Sequence, residues 1–369
     1  MKPISTASEQ EGINREFAEI SAQQGLLPVK VTPFYQKKVR DEVAALGDNV
    51  GPLHRAVYPS RDRLDQHTPG EVKDFVDDRE KMPKGLQGVG VRKYRERMLF
   101  FPTDRCLAHC QYCFRTDVLS EEHARDKVPT LAEKLAALVD YLRSTPEIEE
   151  VILSGGDPMN LGLQQLRQIL EALREQTNIE AIRIHTRALA FAPQVFSEEK
   201  ARLLGEFDVR LVSHVIHPYE ICDEVKQYID RLRKNGVRLY NQFPLLRKIN
   251  DHVQVLVRLL KELDRHAIRN LSIFIPDPIT YSTTFRLRIR RLFKLIQELN
   301  WSTPSWINST RFVIDTPHGK VKREDFVEYD ETRQVAIFER EGNRIEYPDI
   351  GEKHDEPGDL KTLLWKDHI

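Results

Sequence analysis

The sequence predicts an α/β protein made of repeated strand–helix units. Short β-branched or aromatic runs begin at Arg97, longer segments with an apolar period near 3.6 alternate with them, and a single helical pattern separates most successive runs. Strands joined through one helix favour parallel pairing with right-handed crossovers, which gives an open doubly wound sheet or a barrel, complete or partial. Either architecture gathers function at the carboxyl ends of its strands.

The elements follow in order. Residues 1–94 carry breakers and charge clusters, among them Gly51-Pro52 and the run DDREKMPKG, between short helical patterns, and read as a helical preface. Residues 95–316 form the expected core, with strands at 97–103, 151–155, 181–186, 209–216, 237–243, 271–276 and 311–315. Pro129 and the stripe Leu131, Leu135, Leu138, Val139 and Leu142 predict the first crossover helix. Further helices are expected at about 161–175, 198–206, 219–235, 252–265 and 284–299. Residues 317–369 read as an appendage, in which the alternating stretch 330–349 predicts a hairpin.

Composition excludes several classes. Among 369 residues, 56 basic and 57 acidic side chains leave a net charge of −1, so no excess charge points to a nucleic-acid or anionic-membrane partner. No stretch approaches the roughly 20 apolar residues of a membrane helix, and a cytoplasmic location is expected. Gly85, Gly88 and Gly90 follow no strand and imply no dinucleotide fold. On the helix expected at 284–299, Arg286, Arg288, Arg290, Arg291 and Lys294 accompany the stripe Phe285, Ile289, Leu292, Ile296 and Leu299, so its charges read as a solvated face.

Four cysteines are too few for a disulfide scaffold, and three of them, Cys106, Cys110 and Cys113, crowd into eight residues after the first expected strand. Soft thiolates grouped in one loop select zinc, copper(I) or an iron–sulfur cluster. Structural zinc, with His109 or His123 as fourth ligand, is the rival, but such sites generally use two separated pairs of ligands. Three thiolates are one short of the four that fill a cubane, so one iron would keep an open position. Ser154-Gly155-Gly156-Asp157-Pro158 ends the second expected strand and alone would read as a tight turn.

The cysteine spacing, followed by aromatic Phe114, resembles the radical S-adenosylmethionine (radical SAM) signature. That resemblance implies a [4Fe-4S] cluster whose open iron takes SAM, with reductive cleavage to a 5′-deoxyadenosyl radical. From about residue 83 to 320 the likeness narrows: GLQGVGVRKYRERMLFFPTDRC, SGGDP, RIHTRALAFAPQVF, SHVIHPYEI and NQFPLLRKIND are similar, in order and spacing, to segments of the lysine 2,3-aminomutase family. The resemblance implies a partial (β/α)6 barrel with a helical N-terminal extension and a short C-terminal appendage. It also implies pyridoxal 5′-phosphate (PLP), isomerase activity on a free amino acid, and a reducing partner such as a flavodoxin or ferredoxin. Neither nucleic acid nor membrane is expected as a partner, and homo-oligomers are compatible with the family.

The family's site residues carry over by position. Asp315-Thr-Pro-His-Gly-Lys320 resembles the segment bearing the PLP lysine, which makes Lys320 the candidate and Lys322 a lesser one, because the span here is two residues shorter. Arg97 matches an arginine near PLP, and Lys93 stands where a second arginine is common. Ser154, Gly155, Gly156, Asp157, His214 and Gln242 match the SAM pocket. Arg115 matches the partner of the substrate carboxylate, and Asp277 with Asp315 the pair that holds the distal ammonium of lysine. Two departures stand out: His252 follows Asn250-Asp251 where relatives often place a zinc-ligating cysteine, and the tail has no cysteine, so no such zinc site is expected. Cys222 reads as a small buried hydrophobe on a helix.

Overall fold

The structure, a computed structural model, describes residues 6–47, 50–124 and 128–368. Alternation makes its strands: within Ala181–Thr186, Ile182 and Ile184 are fully buried, while Arg183 and His185 between them line a cavity. Nine strands form one sheet in chain order: β1 (Gly90–Val91), β2 (Arg97–Thr103), β3 (Glu150–Gly155), β4 (Ala181–Thr186), β5 (Arg210–Ser213), β6 (Arg238–Pro244), β7 (Arg269–Phe274), β8 (Arg311–Thr316) and β9 (Gly319–Val321). From β2 to β8 every pairing is parallel, and antiparallel β1 and β9 sit at the two edges.

Strand order that never reverses has no switch point. Right-handed crossovers then all step the same way and place the helices on one face, so the sheet curls around the other. Among the described residues no pairing joins the edges, and the barrel is partial. The crossover helices are Leu131–Arg143, Leu163–Gln176, Glu198–Glu206, Asp223–Lys234, Val253–Arg265 and Ile289–Ser302. The first begins after Thr130 rather than at Pro129, because Thr130 and Glu133 form a reciprocal capping box.

Among the described residues two longer helices (Thr6–Gln24, Pro33–Leu46) and two short ones (Pro52–Val57, Arg61–Asp65) precede the sheet, and Tyr35 and Leu53 from them share one continuous core with Phe100, Leu211 and Phe338. After β9 come β10 (Phe326–Asp330), β11 (Val335–Arg340) and β12 (Asn343–Pro348), an antiparallel sheet containing the expected hairpin. Glu341 and Gly342 turn it with φ of 52° and 78°, the two left-handed residues of a type I′ turn.

The solvated-face reading of the last crossover helix needs correction. Its apolar stripe is buried as expected, but the helix starts only at Ile289, and Arg286 before it is fully buried. Arg286 donates to the Pro348 carbonyl and lies 3.3 Å from Tyr347 Oη, while Arg291 pairs with Asp251 at 2.9 Å and Asp355 at 2.8 Å. Arg286 and Arg291 clamp the appendage to the barrel, while Arg290 and Lys294 remain exposed, as expected. Arg286→Ala strips a buried carbonyl of its donor and leaves a void, so it is expected to cost about 2–4 kcal/mol. Denaturant melts of the two proteins measure this.

Candidate active site

One cavity of about 660 Å³ gathers every residue matched to the family site. Cys106, Cys110, Cys113 and Arg115 reach it from the segment after β2, and Ser154, Gly155, Gly156 and Asp157 from the end of β3. His214 follows β5, Gln242 lies on β6, Asp277 follows β7, and Asp315 and Lys320 stand on β8 and β9, with Arg97 at the start of β2. The barrel thus brings together residues more than two hundred positions apart.

The cysteine loop is held by the N-terminal segment. Lys30 Nζ donates to the Cys106 carbonyl at 2.7 Å, His109 N–H to the Lys30 carbonyl at 2.8 Å, and Gln111 N–H to the Ala56 carbonyl at 2.9 Å. His109 Nδ1 donates to the Pro28 carbonyl at 2.7 Å, and the side chain of His123 lies outside the described residues. Burial, and then the neighbouring thiols, push Cys106 well up and Cys113 up to about 12, and burial raises Cys110. Such thiols become thiolates when a metal supplies positive charge. Three soft thiolates reaching one cavity from one loop match a cubane cluster that keeps one iron open. The three cysteines therefore fit a cluster.

Two close approaches explain the glycines. Gly155 has φ +87° and a Cβ there would meet Phe101 at 2.9 Å, while one on Gly156 would fall 2.5 Å from the Arg105 carbonyl. Asp157 spends its carboxylate inside the turn, accepting from Met159 N–H at 3.0 Å, Thr186 Oγ at 2.7 Å and Arg187 N–H at 3.0 Å. It ties β3 to β4, so its side chain shapes the glycine turn from behind.

Arg115 is anchored by a residue that sequence reasoning missed. Its Nε lies 2.8 Å from Asp78 Oδ2 and its Nη1 donates to Ser154 Oγ at 3.1 Å, while Lys93 Nζ sits 3.1 Å from Asp78 Oδ1. Burial alone would raise the Asp78 carboxyl, but Arg115 and Lys93 outweigh it and hold it below the usual range. Asp78 lies in a charged run that looks solvated, so no local signal marks it.

The shortened span around Lys320 folds as a hairpin. Asp315 on β8 is the register partner of Lys320 on β9, and Thr316 that of Gly319. Opposed residues point to one face, so the carboxylate and the amine share a wall of the cavity. Burial pushes the Lys320 amine down, Arg183, Arg97 and Lys93 add to this, and Asp315 opposes it. The amine rests 4.7 Å from the centre of the Phe274 ring. Arg97 stacks over Tyr94 at 3.9 Å, and Lys322 lines the same cavity. Burial, reinforced by Asp315, holds the Asp277 carboxyl well above its ordinary range, and Asp315 Oδ1 is buried without a hydrogen-bond partner. A cation between these two carboxyl groups would relieve both. A desolvated amine set among cationic side chains likewise fits a carbonyl cofactor bearing a phosphate.

Gln242 lies between His214 and a second missed residue, His185, within hydrogen-bond reach of both rings. Cys222 is not inside a helix: it caps Asp223–Lys234, half-buried, because a 3-10 turn at Pro218–Glu220 delays the helix start.

The radical SAM superfamily model matches residues 100–260, which places the cysteine loop and glycine turn in that class of enzyme. The chain is 30% identical over 85% of its length, and 80% of the relative's, to an Aquifex aeolicus protein provisionally named L-lysine 2,3-aminomutase. It is 29% identical to the L-lysine 2,3-aminomutase of Clostridium subterminale, over 79% of this chain and 67% of that one. The chain belongs to the lysine 2,3-aminomutase family of radical SAM, PLP-dependent isomerases. Membership implies a [4Fe-4S] cluster, SAM and PLP. A solved radical SAM methyltransferase from Sphaerobacter thermophilus is similar at TM-score 0.45 and 15% identity, over 63% of this chain and 72% of that one. Among the described residues no helix is long and apolar enough to cross a membrane.

Proposed function

We propose that the protein is a 2,3-aminomutase that moves the α-amino group of a free basic amino acid, L-lysine foremost, to the β carbon. The observation that carries this reading is one cavity lined by three thiols, a desolvated lysine paired across the ladder with Asp315, and Asp277, whose carboxyl Asp315 acts on. The bound cofactors supply a carbon radical and a carbonyl carbon on which the amino group travels. Cys106, Cys110 and Cys113 hold the cluster and leave an iron open, while Ser154, Gly155, Gly156, His214 and Gln242 line the SAM side, with Asp157 bracing the turn. Lys320 holds PLP through its amine, and Arg97 attracts its phosphate.

Arg115, oriented through Nε by Asp78, presents its terminal nitrogens to the substrate carboxylate. Asp277 and Asp315 accept the distal ammonium and repel an acidic substrate. A branch of the family that makes β-lysine for modifying a translation elongation factor lacks one of these carboxylates, so the pair argues against membership in it. The tight β8–β9 turn, shorter than the family's glycine-rich loop, reshapes the pocket, and arginine or ornithine is the second reading. A flavodoxin or ferredoxin is the reductant we assign.

Reduced, reconstituted protein given SAM, PLP and an amino-acid panel should yield a β-amino acid, and no such product across the panel overturns the proposal. Asp277→Asn or Asp315→Asn is expected to raise the KM for lysine about tenfold to a hundredfold, the effect of losing a hydrogen bond to a charged group. Because burial and Asp315 raise the Asp277 carboxyl in the empty site, lysine should bind more tightly as pH rises through its titration. Asp277→Asn should flatten this dependence.

A further inference from the structure

On β4, Arg183 and His185 point into the cavity, and the His185 ring meets the His214 ring edge-on at 5.5 Å. Gln242 Nε2 lies 3.2 Å from His185 Nδ1 and 3.1 Å from His214 Nε2. An amide nitrogen carries two hydrogens and no usable lone pair, so both ring atoms accept. Burial, with His214, Arg183, Lys320 and Arg115 adding to it, keeps the His185 ring neutral. Its one hydrogen therefore sits on Nε2.

That Nε2 is buried and has no hydrogen-bond partner. A buried donor left unmet is costly, and a native site that keeps one calls for a reason. Arg183 and Arg115, which act on the ring, are donors only, and Lys320, which could accept only as a neutral amine, makes no hydrogen bond to Nε2. The acceptor has to arrive with a ligand, and the surrounding positive charge favours an oxygen that is anionic.

We infer that His185 is a ligand-binding residue whose Nε2 hydrogen bonds an anionic oxygen of the molecule held between Lys320 and Arg115, and that Gln242 locks the ring for that contact. The inference rests on the aminomutase reading and deepens it. Two oxygens carry the required chemistry: the ring phenolate of PLP and the carboxylate of the amino acid. Because Gln242 also bonds His214, the same amide links this contact to the side of the cavity matched to SAM.

The test compares wild type with His185→Gln, whose amide can place an N–H near the ring's Nε2, and with His185→Phe and His185→Leu, which carry no donor. Two donor-free variants guard against a folding defect in either. PLP is added first without amino acid and the visible band recorded, and then KM is measured for the amino acid that wild type turns over. If PLP supplies the oxygen, the band shifts or weakens in the Phe and Leu variants before any amino acid is added. If the amino acid supplies it, the band stays and KM rises about tenfold or more. In both cases His185→Gln stays close to wild type. Phe and Leu variants that match wild type in band and KM overturn the inference and leave the aminomutase reading standing. Wild type that takes up no PLP removes both.

Discussion

Cys113→Ala is expected to leave a protein that folds but carries little iron, lacks the brown cluster absorbance and turns over at least about a thousandfold more slowly. Burial holds all three thiols above their ordinary range, and neighbouring thiols add to this at Cys106 and Cys113, so the empty loop becomes a ligand set only around a cation. With one removed, two protein ligands remain for a cluster that already leaves one iron open. The fold has less at stake, because the loop is fixed by backbone contacts to the Lys30, Pro28 and Ala56 carbonyls. Cys222→Ala is the control, since Cys222 caps a helix and does not line the cavity. Anaerobic iron and sulfide assays, the visible spectrum and a melting curve read the outcome. A Cys113→Ala protein with full iron and colour would remove the cluster from this loop, and zinc in its place in wild type would do the same.

The strands were legible because short β-branched and aromatic runs stand apart from the helical patterns between them, and all the candidate strands lie in the sheet. The cysteine loop and the glycine turn were legible because local spacing carries them, while Lys320 was singled out by its resemblance to the family segment. What stayed hidden depends on partners remote in sequence. Asp78 looks solvated until β2 brings Arg115 and Lys93 onto it. Arg286 looks solvated until Pro348 and Tyr347, some sixty residues on, close over it. His185 alternates with two buried isoleucines, but only Gln242 on β6 shows that its Nε2 is a donor. Its signal in the sequence was a histidine at an inward position of a parallel strand, which a reading by cysteines and glycines passes over.

Lys320→Ala is expected to abolish covalent capture of PLP and to lower turnover by about a thousandfold or more, whereas Lys322→Ala should retain the adduct. The choice turns on the hairpin. Lys320 and Lys322 are two residues apart and both line the cavity. Lys320, however, is ladder-paired with Asp315, and Arg340 Nη1 fixes its carbonyl at 2.6 Å. Lys322 has left the ladder, and its backbone N–H caps onto Asp325 at 2.8 Å. Burial and the cations Arg183, Arg97 and Lys93 lower the Lys320 amine, raising the neutral fraction that attacks a carbonyl carbon. Borohydride reduction of the PLP-treated proteins, followed by peptide mass mapping, identifies the modified lysine directly. If the label appears on Lys322 and survives in Lys320→Ala, the amine has moved about 6–7 Å along the strand. The two cases also separate by charge. Only an amine at Lys320 has Asp315 as its cross-strand neighbour, so Asp315→Asn should lower the pH at which PLP is captured if Lys320 is the site and leave it unchanged if Lys322 is.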